Sequence, residues 1–130
     1  MAGTLVANTI NTDTGLYSTN NAYLGIAKAW VNFTGSTAVI RASFNVSSIT
    51  RNAAGDYTVN FSTTMADANY SQSVNVAPNY AVAWSLSPAL NQASGSTQSN
   101  PTTSSFRFNT PTSSGALYDP IFVNVIVCGN

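Results

Sequence analysis

The side chains with which this chain could do acid–base, nucleophilic or metal chemistry are Asp13, Asp56, Asp67, Asp119, Lys28 and Cys128. There is no histidine and no glutamate. General acid–base and nucleophilic catalysis draw mostly on His, Glu, Asp, Cys and Lys. Glycoside hydrolysis needs a pair of positioned carboxylates. Four aspartates spread from residue 13 to residue 119 make no such pair unless a subunit boundary brings two together. Asp56, beside Gly55, is a lone carboxylate and a poor start for a calcium site, which collects about six to eight oxygens. A turn-stabilising hydrogen bond is the better account of Asp56, and of Asp67 near Asn69. A single cysteine excludes an intrachain disulfide and a thiolate metal site. Cys128 reads as a small buried hydrophobe in a C-terminal strand. The expectation is a protein that is not an enzyme, with no catalytic residues, no metal and no cofactor.

Charge excludes a second class. Charged residues make up 6% of the chain and the formal net charge is zero, where about 25% charged is typical. Lys28, Arg41, Arg51 and Arg107 are too few and too scattered to neutralise phosphates along one face, so a nucleic-acid partner is not expected. A neutral, charge-poor surface is poorly protected against association, which points to a permanent oligomer. Asn, Ser and Thr supply 49 of the 130 residues. Their uncharged hydrogen-bonding groups suit strand surfaces, turns and saccharide-like partners. Disorder is excluded by six Phe, six Tyr and two Trp set in regular runs. The opening MAGTLVANTI has no basic region and no long apolar core, so it is not a signal peptide. No stretch reaches membrane-spanning length. Synthesis in the cytoplasm without membrane insertion is expected.

The elements that must position these residues are strands. Ile40, Ala42, Phe44 and Val46 alternate with Arg41, Ser43, Asn45 and Ser47. Tyr57, Val59 and Phe61 alternate with Thr58, Asn60 and Ser62. Tyr80, Val82, Trp84 and Leu86 repeat the scheme, which places Trp84 in the core. Ile121, Val123, Val125 and Val127 alternate with Phe122, Asn124, Ile126 and Cys128. This period of two marks half-buried strands. The last run is apolar on both faces, so it should be central in its sheet or covered by a second subunit. Turn signals separate the runs: Arg51–Asp56 as a hairpin loop, Met65–Asn69, the polar stretch Ser87–Pro101, and Thr110–Gly115. The expected fold is all-β, an antiparallel β-sandwich of about seven or eight strands. Residues 1–23 form an extended N-terminal arm with too little apolar mass to order itself. The arm would serve attachment and trimerisation, and residues 24–130 would form the knob.

Four segments recur in order: Ala27-Lys28-Ala29-Trp30-Val31-Asn32-Phe33, then Ile40 to Thr50 (IRASFNVSSIT), Gly55 to Phe61 (GDYTVNF), and Met65 to Tyr70 (MADANY). Together they resemble the C-terminal tip domain of bacteriophage tail fibres and related virion proteins. The closing Phe122–Val127 looks like the end of that domain, and Ala2–Ile10 is similar to the starts of small phage fibre proteins. The likeness covers residues 24–86 and 121–127. Asn91–Asp119 departs from it, where host-facing loops are expected. The resemblance implies an intertwined homotrimer on the virion. Its arm would hold other phage tail or capsid proteins, and its knob would contact a host surface glycan or protein. Because Met1 starts an arm of only about 23 residues, the expectation is a bare knob: a tail fibre or short appendage tip, or alternatively a capsid decoration protein on the head shell.

The candidate receptor-contact residues are Asn52, Asp56, Asn91, Gln92, Gln98, Asn100 and Tyr118, all in loops, where recognition usually resides. Candidate subunit-interface or attachment residues are Leu5, Val6, Ile10, Trp30 and Phe122. Trp30 has two readings. It can stack on a sugar ring with Asn32 donating hydrogen bonds, or it can pack between subunits or in the core. Arg41 is either a solvated strand residue or a partner for an aspartate or carbonyl across a subunit boundary.

Overall fold

β-Branched and aromatic residues at every second position pleat the chain into strands whose alternate side chains meet in one apolar layer. The computed structural model describes residues 9–12, 15–18, 25–78, 88–90, 92–93 and 97–129. The strands are β1 (Thr9–Thr12), β2 (Gly15–Ser18), β3 (Ala27–Thr34), β4 (Val39–Phe44), β5 (Val46–Ala53) and β6 (Asp56–Phe61). They continue as β7 (Ser71–Ala77), β8 (Ala89–Leu90), β9 (Gln92–Ala93), β10 (Thr97–Gln98), β11 (Ser105–Asn109) and β12 (Phe122–Cys128). Two four-stranded sheets hold most of them, ordered β4-β3-β12-β7 and β5-β6-β11-β8. Every pairing is antiparallel. β1 with β2, and β9 with β10, form separate two-stranded hairpins. The chain is therefore all-β, with two antiparallel sheets face to face. Among the described residues, no helix is long and apolar enough to cross a membrane.

Val31, Phe33, Val123, Val125 and Val127 from the first sheet meet Tyr57, Val59, Phe61, Phe106 and Phe108 from the second, all buried. Phe33 and Tyr57 join the layers edge to face, with ring centroids 5.3 Å apart. Such pairs add about 0.5–1.5 kcal/mol beyond their buried area. The aromatic line continues through Phe108, Phe106, Phe61 and Tyr70. The expected alternation holds for Tyr57, Val59 and Phe61 and for Val123, Val125 and Val127. β12 is central, paired to β3 on one side and β7 on the other.

One expected strand proves to be two. The run from Ile40 to Val46 breaks at Asn45, which sits at φ 54°. β4 before it belongs to one sheet and β5 after it to the other. Asn45 Nδ2 donates to the Lys28 and Thr63 carbonyls, both at 3.1 Å, and its Oδ1 accepts from the Thr63 amide at 2.7 Å. Asn tolerates the left-handed region because its short amide bonds to nearby backbone. A register shift between Asn32 and Phe33 also reverses the expected faces. Ile40 packs against the core, while Ala42 and Phe44 face out. Asn45→Ala should cost about 2 kcal/mol, from the lost bonds and the left-handed φ. Asn45→Gly should cost about 1 kcal/mol less than that, because glycine takes this φ freely. Urea unfolding of the two variants measures the difference.

The Arg51–Asp56 loop is a hairpin turn as expected, tightened to Ala54-Gly55 with Gly55 at φ 65°. Within the expected arm, β1 and β2 pair with Ile10 opposite Tyr17. Leu5, Val6, Asn91 and the run Tyr80–Leu86 with Trp84 lie outside the described residues.

Candidate functional site: a braced loop end

Antiparallel order brings three connections to one end of the sandwich: the 35–38 turn after β3, the Ala54-Gly55 turn after β5, and residues 110–121 between β11 and β12. The third packs on the first two through backbone. Gly35 N–H donates to the Ile121 carbonyl at 3.4 Å, and Thr110 N–H to the Gly55 carbonyl at 2.8 Å. A Cβ on Gly55 would stand 2.7 Å from Tyr118 N and 2.8 Å from Thr110 Oγ1, so a side chain there would force the 110–121 segment away. Thr110, fully buried, donates its hydroxyl to the Tyr118 carbonyl at 2.6 Å.

Asp119 fastens this end. It accepts from Arg51 Nε at 3.0 Å and Nη2 at 2.6 Å, from the Gly55 amide at 2.9 Å and from the Tyr57 hydroxyl at 2.6 Å. Burial alone would raise this carboxyl. The bonds from Arg51, Tyr57 and Gly55 outweigh it and hold Asp119 below the ordinary carboxylate range. Burial first, and then the bond to Asp119, push the Tyr57 phenol well above its usual value. The bond to Asp119 raises Arg51. Burial also lifts Tyr70, at the opposite end, to about 12.

A second ion pair lies beside the first. Arg107 grips Asp56 with Nε at 2.8 Å and Nη2 at 2.7 Å, and this bond raises Arg107. Asn52 Nδ2 reaches Asp56 Oδ1 at 3.3 Å and Thr58 Oγ1 at 2.9 Å. Bidentate guanidinium–carboxylate contacts fix orientation as well as adding energy. Around this scaffold Asn52, Ser113, Ser114 and Tyr118 are exposed. The end thus presents one phenol, an amide and several hydroxyls on backbone held by charged clasps. That chemistry suits reversible recognition of a polar surface, where rigid presentation lowers the ordering cost of binding.

The residues expected to contact a receptor separate. Asn52 and Tyr118 share this end. Asp56 is a correction: it is fully buried and committed to Arg107, so it braces the loop rather than contacting a ligand. Gln98, exposed, pairs with Gln92 in the β9–β10 hairpin. Asn100 is exposed at the opposite end, near Thr102, whose carbonyl receives the Tyr70 hydroxyl at 2.8 Å. The charged clasps escaped sequence reading because their partners lie 68 and 51 residues apart.

Trp30 and Phe122 lie on the outer face of the β4-β3-β12-β7 sheet, so Trp30 is not a core residue. It is 39% exposed and stands directly between Phe44 on β4 and Ile126 on β12. Phe122 is half-buried under the Arg41 guanidinium, 4.3 Å from the ring centroid. Arg41 is thus an exposed strand residue whose guanidinium stacks on an aromatic ring of its own subunit. Among the described residues, no group of three or more His, Cys, Asp or Glu side chains is placed to hold a metal ion. Compared with protein-family models, curated proteins and solved structures, the chain matched none.

Proposed function

We propose that the chain is a structural protein of a bacteriophage virion: the knob of a tail fibre or short appendage, a homotrimer that attaches the particle to a host surface by non-covalent contact. The braced loop end carries this reading. Two bidentate ion pairs use half of the chain's eight charged residues at this end, and the exposed side chains there include Tyr118, Asn52, Ser113 and Ser114. A polar host glycan or protein is the partner such a surface suits. Support also comes from the resemblance to phage fibre tips, whose segments fall on β3, β4–β5, β6 and β12 of one sandwich. Three copies of the chain in one knob turn weak single contacts into avid attachment. The N-terminal segment is the tether to other tail or capsid proteins.

Purified protein should compete with phage for adsorption to host cells, and a folded Asn52→Ala/Tyr118→Ala variant should compete at least tenfold less well. Unchanged adsorption at saturating protein would sink the attachment reading. Gold-labelled antibody against residues 112–118 should decorate the tail of intact virions. Label on the head shell would replace the fibre reading with capsid decoration.

A further inference from the structure

Of the five prolines, one follows an aspartate: Asp119-Pro120, just before β12. An Asp–Pro bond carries the means of its own hydrolysis. Attack by the side-chain carboxylate on its own backbone carbonyl carbon closes a five-membered ring. The proline nitrogen belongs to a tertiary amide and leaves as a secondary amine more readily than an ordinary peptide nitrogen. In the folded chain this bond is shut off on each side the reaction needs. The carboxylate is held by four donors: Arg51 Nε, the Gly55 amide and the Tyr57 hydroxyl on Oδ1, and Arg51 Nη2 on Oδ2. Pro120 is fully buried. A Cβ on Gly35 would collide with the Pro120 carbonyl oxygen and stand 3.0 Å from its nitrogen, so the 35–38 turn covers the leaving group. Backbone bonds hold both flanks: Tyr118 N–H donates to the Thr110 carbonyl at 3.4 Å, and Ile121 N–H to the Ala77 carbonyl at 2.9 Å.

We propose that Asp119-Pro120 is a latent self-cleavage site: the clasp keeps it whole in the folded chain, and acid that opens the clasp lets the Asp119 side chain sever the backbone. Asp119 Oδ forms a bond to the Asp119 carbonyl carbon, the proline nitrogen takes a proton from the acidic medium, and the carbon–nitrogen bond breaks. The product is a cyclic anhydride of the side-chain and main-chain carboxyls. Water adds to it, which regenerates the Asp119 side chain and leaves a carboxyl as the new C-terminus. The net change is one water added across one peptide bond. The charged and titratable groups facing Asp119 are Arg51 from β5 and Tyr57 from β6, and both donate to it. Asp56 and Arg107 alongside are bound to each other, Tyr118 is exposed, and the 35–38 turn carries no titratable side chain. Protonation of Asp119 is therefore the event that weakens the clasp. The fragment set free, residues 120–130, holds β12, the strand that joins β3 to β7. Acid unfolding should thus become irreversible with time, while urea unfolding at neutral pH stays reversible. The proposal is independent of the attachment reading.

The unaltered chain, held at about pH 3, near the unfolded carboxylate pKa of about 4, is followed by mass spectrometry with and without urea. With urea, fragments 1–119 and 120–130 should accumulate, their masses summing to that of the chain plus one water. Without urea, while circular dichroism shows the native fold, cutting should be at least tenfold slower. A chain that stays whole in urea, or is cut equally fast folded and unfolded, overturns the proposal. This comparison needs no variant. Asp119→Asn and Pro120→Ala should each slow cutting in urea at least tenfold, and an unchanged rate in either overturns the assigned chemistry. Arg51 acts by positioning. Arg51→Met removes two of the four donors and should speed cutting of the folded chain severalfold, and Arg51→Lys should restore part of the protection. Asn45→Ala weakens the fold at the opposite end and leaves the clasp whole, so it should speed cutting less. Equal acceleration by Arg51→Met and Asn45→Ala would mean that global unfolding guards the bond, and it overturns the role of the clasp.

Discussion

Arg107→Met should destabilise the fold by about 3–5 kcal/mol, the cost of removing one partner from a buried ion pair. The loss should exceed that of Asp56→Asn, because the two ends of the pair are unequally placed. The Asp56 side chain is fully buried, whereas that of Arg107 is 29% exposed. Removing the guanidinium strips two charge-assisted bonds, at 2.8 and 2.7 Å, from a carboxylate with no route to water. Removing the carboxylate's charge leaves a guanidinium that can turn toward solvent, at a cost of about 1–2 kcal/mol. The double variant should recover part of the loss, since an Asn beside a Met is polar but uncharged. Urea unfolding of the four proteins gives the coupling energy directly, with about 2–3 kcal/mol expected at this contact distance. Equal losses from the two single variants would mean that Asp56 finds solvent once Arg107 is gone.

The legible and the hidden parts of this molecule differ in range. The inward faces of β6 and β12 follow from period two, because each strand alternates within itself and needs no distant partner to be read. β4 and β5 misled for the opposite reason. Arg41-Ala42-Ser43-Phe44-Asn45-Val46 alternates without interruption, yet Asn45 turns the chain from one sheet to the other, and the shift at Asn32–Phe33 puts Phe44 outside. The clue was the residue type at position 45, since Asn is among the few that adopt positive φ at small cost. The two-sided apolar character of the last strand was visible, and its meaning is now divided: Val123, Val125 and Val127 fill the core, while Ile126 faces out beside Trp30. The loop candidates were chosen by their place in loops. That criterion picks out Tyr118 and Asn52, which are exposed at one end, but it cannot pick out Asp119, Arg51 and Arg107, whose pairings span more than 50 residues.

Those long pairings connect composition to function. A chain with four acidic and four basic residues has little charge to spend. Two of each are used at the loop end, on Arg51–Asp119 and Arg107–Asp56. Exposed ion pairs contribute little to stability, but these carboxylates are partly or fully buried and bridge separate elements. Arg51–Asp119 fixes a connection of twelve residues, 110–121, that has only the short Pro111–Leu117 bridge for secondary structure, while Arg107–Asp56 ties β11 to the start of β6. Loops of that length in compact domains are commonly functional. A rigid one suits a contact surface that must bind repeatedly without paying an ordering cost each time.

Asp119→Ala should therefore act on both stability and recognition. The substitution leaves the Tyr57 hydroxyl, on a fully buried residue, and the Gly55 amide without their acceptor. Each such group costs about 1–3 kcal/mol, so the total should be about 3–4 kcal/mol. Tyr57→Phe removes the donor instead and leaves Asp119 its bonds to Arg51 and Gly55, so it should cost only about 1 kcal/mol. The pH profile separates the clasp from simple packing. Asp119 is held below its ordinary value in the folded state, so its contribution is fully present above the unfolded carboxylate pKa of about 4 and is lost as pH falls through the lower folded value. Tyr57 and Tyr70 are raised, so their contributions hold below the unfolded phenol pKa of about 10 and are lost as pH rises beyond it. Thermal unfolding from pH 2 to pH 11 should show both legs in the unaltered chain. The Asp119→Asn variant should have a flatter acid leg, and Tyr57→Phe a flatter alkaline one. If Asp119→Asn keeps the full acid leg, another carboxylate sets it and the clasp is not what holds the loop. If the leg flattens while host-cell adsorption is unchanged, the loop is braced for the fold alone, and the contact surface must be sought elsewhere on the knob.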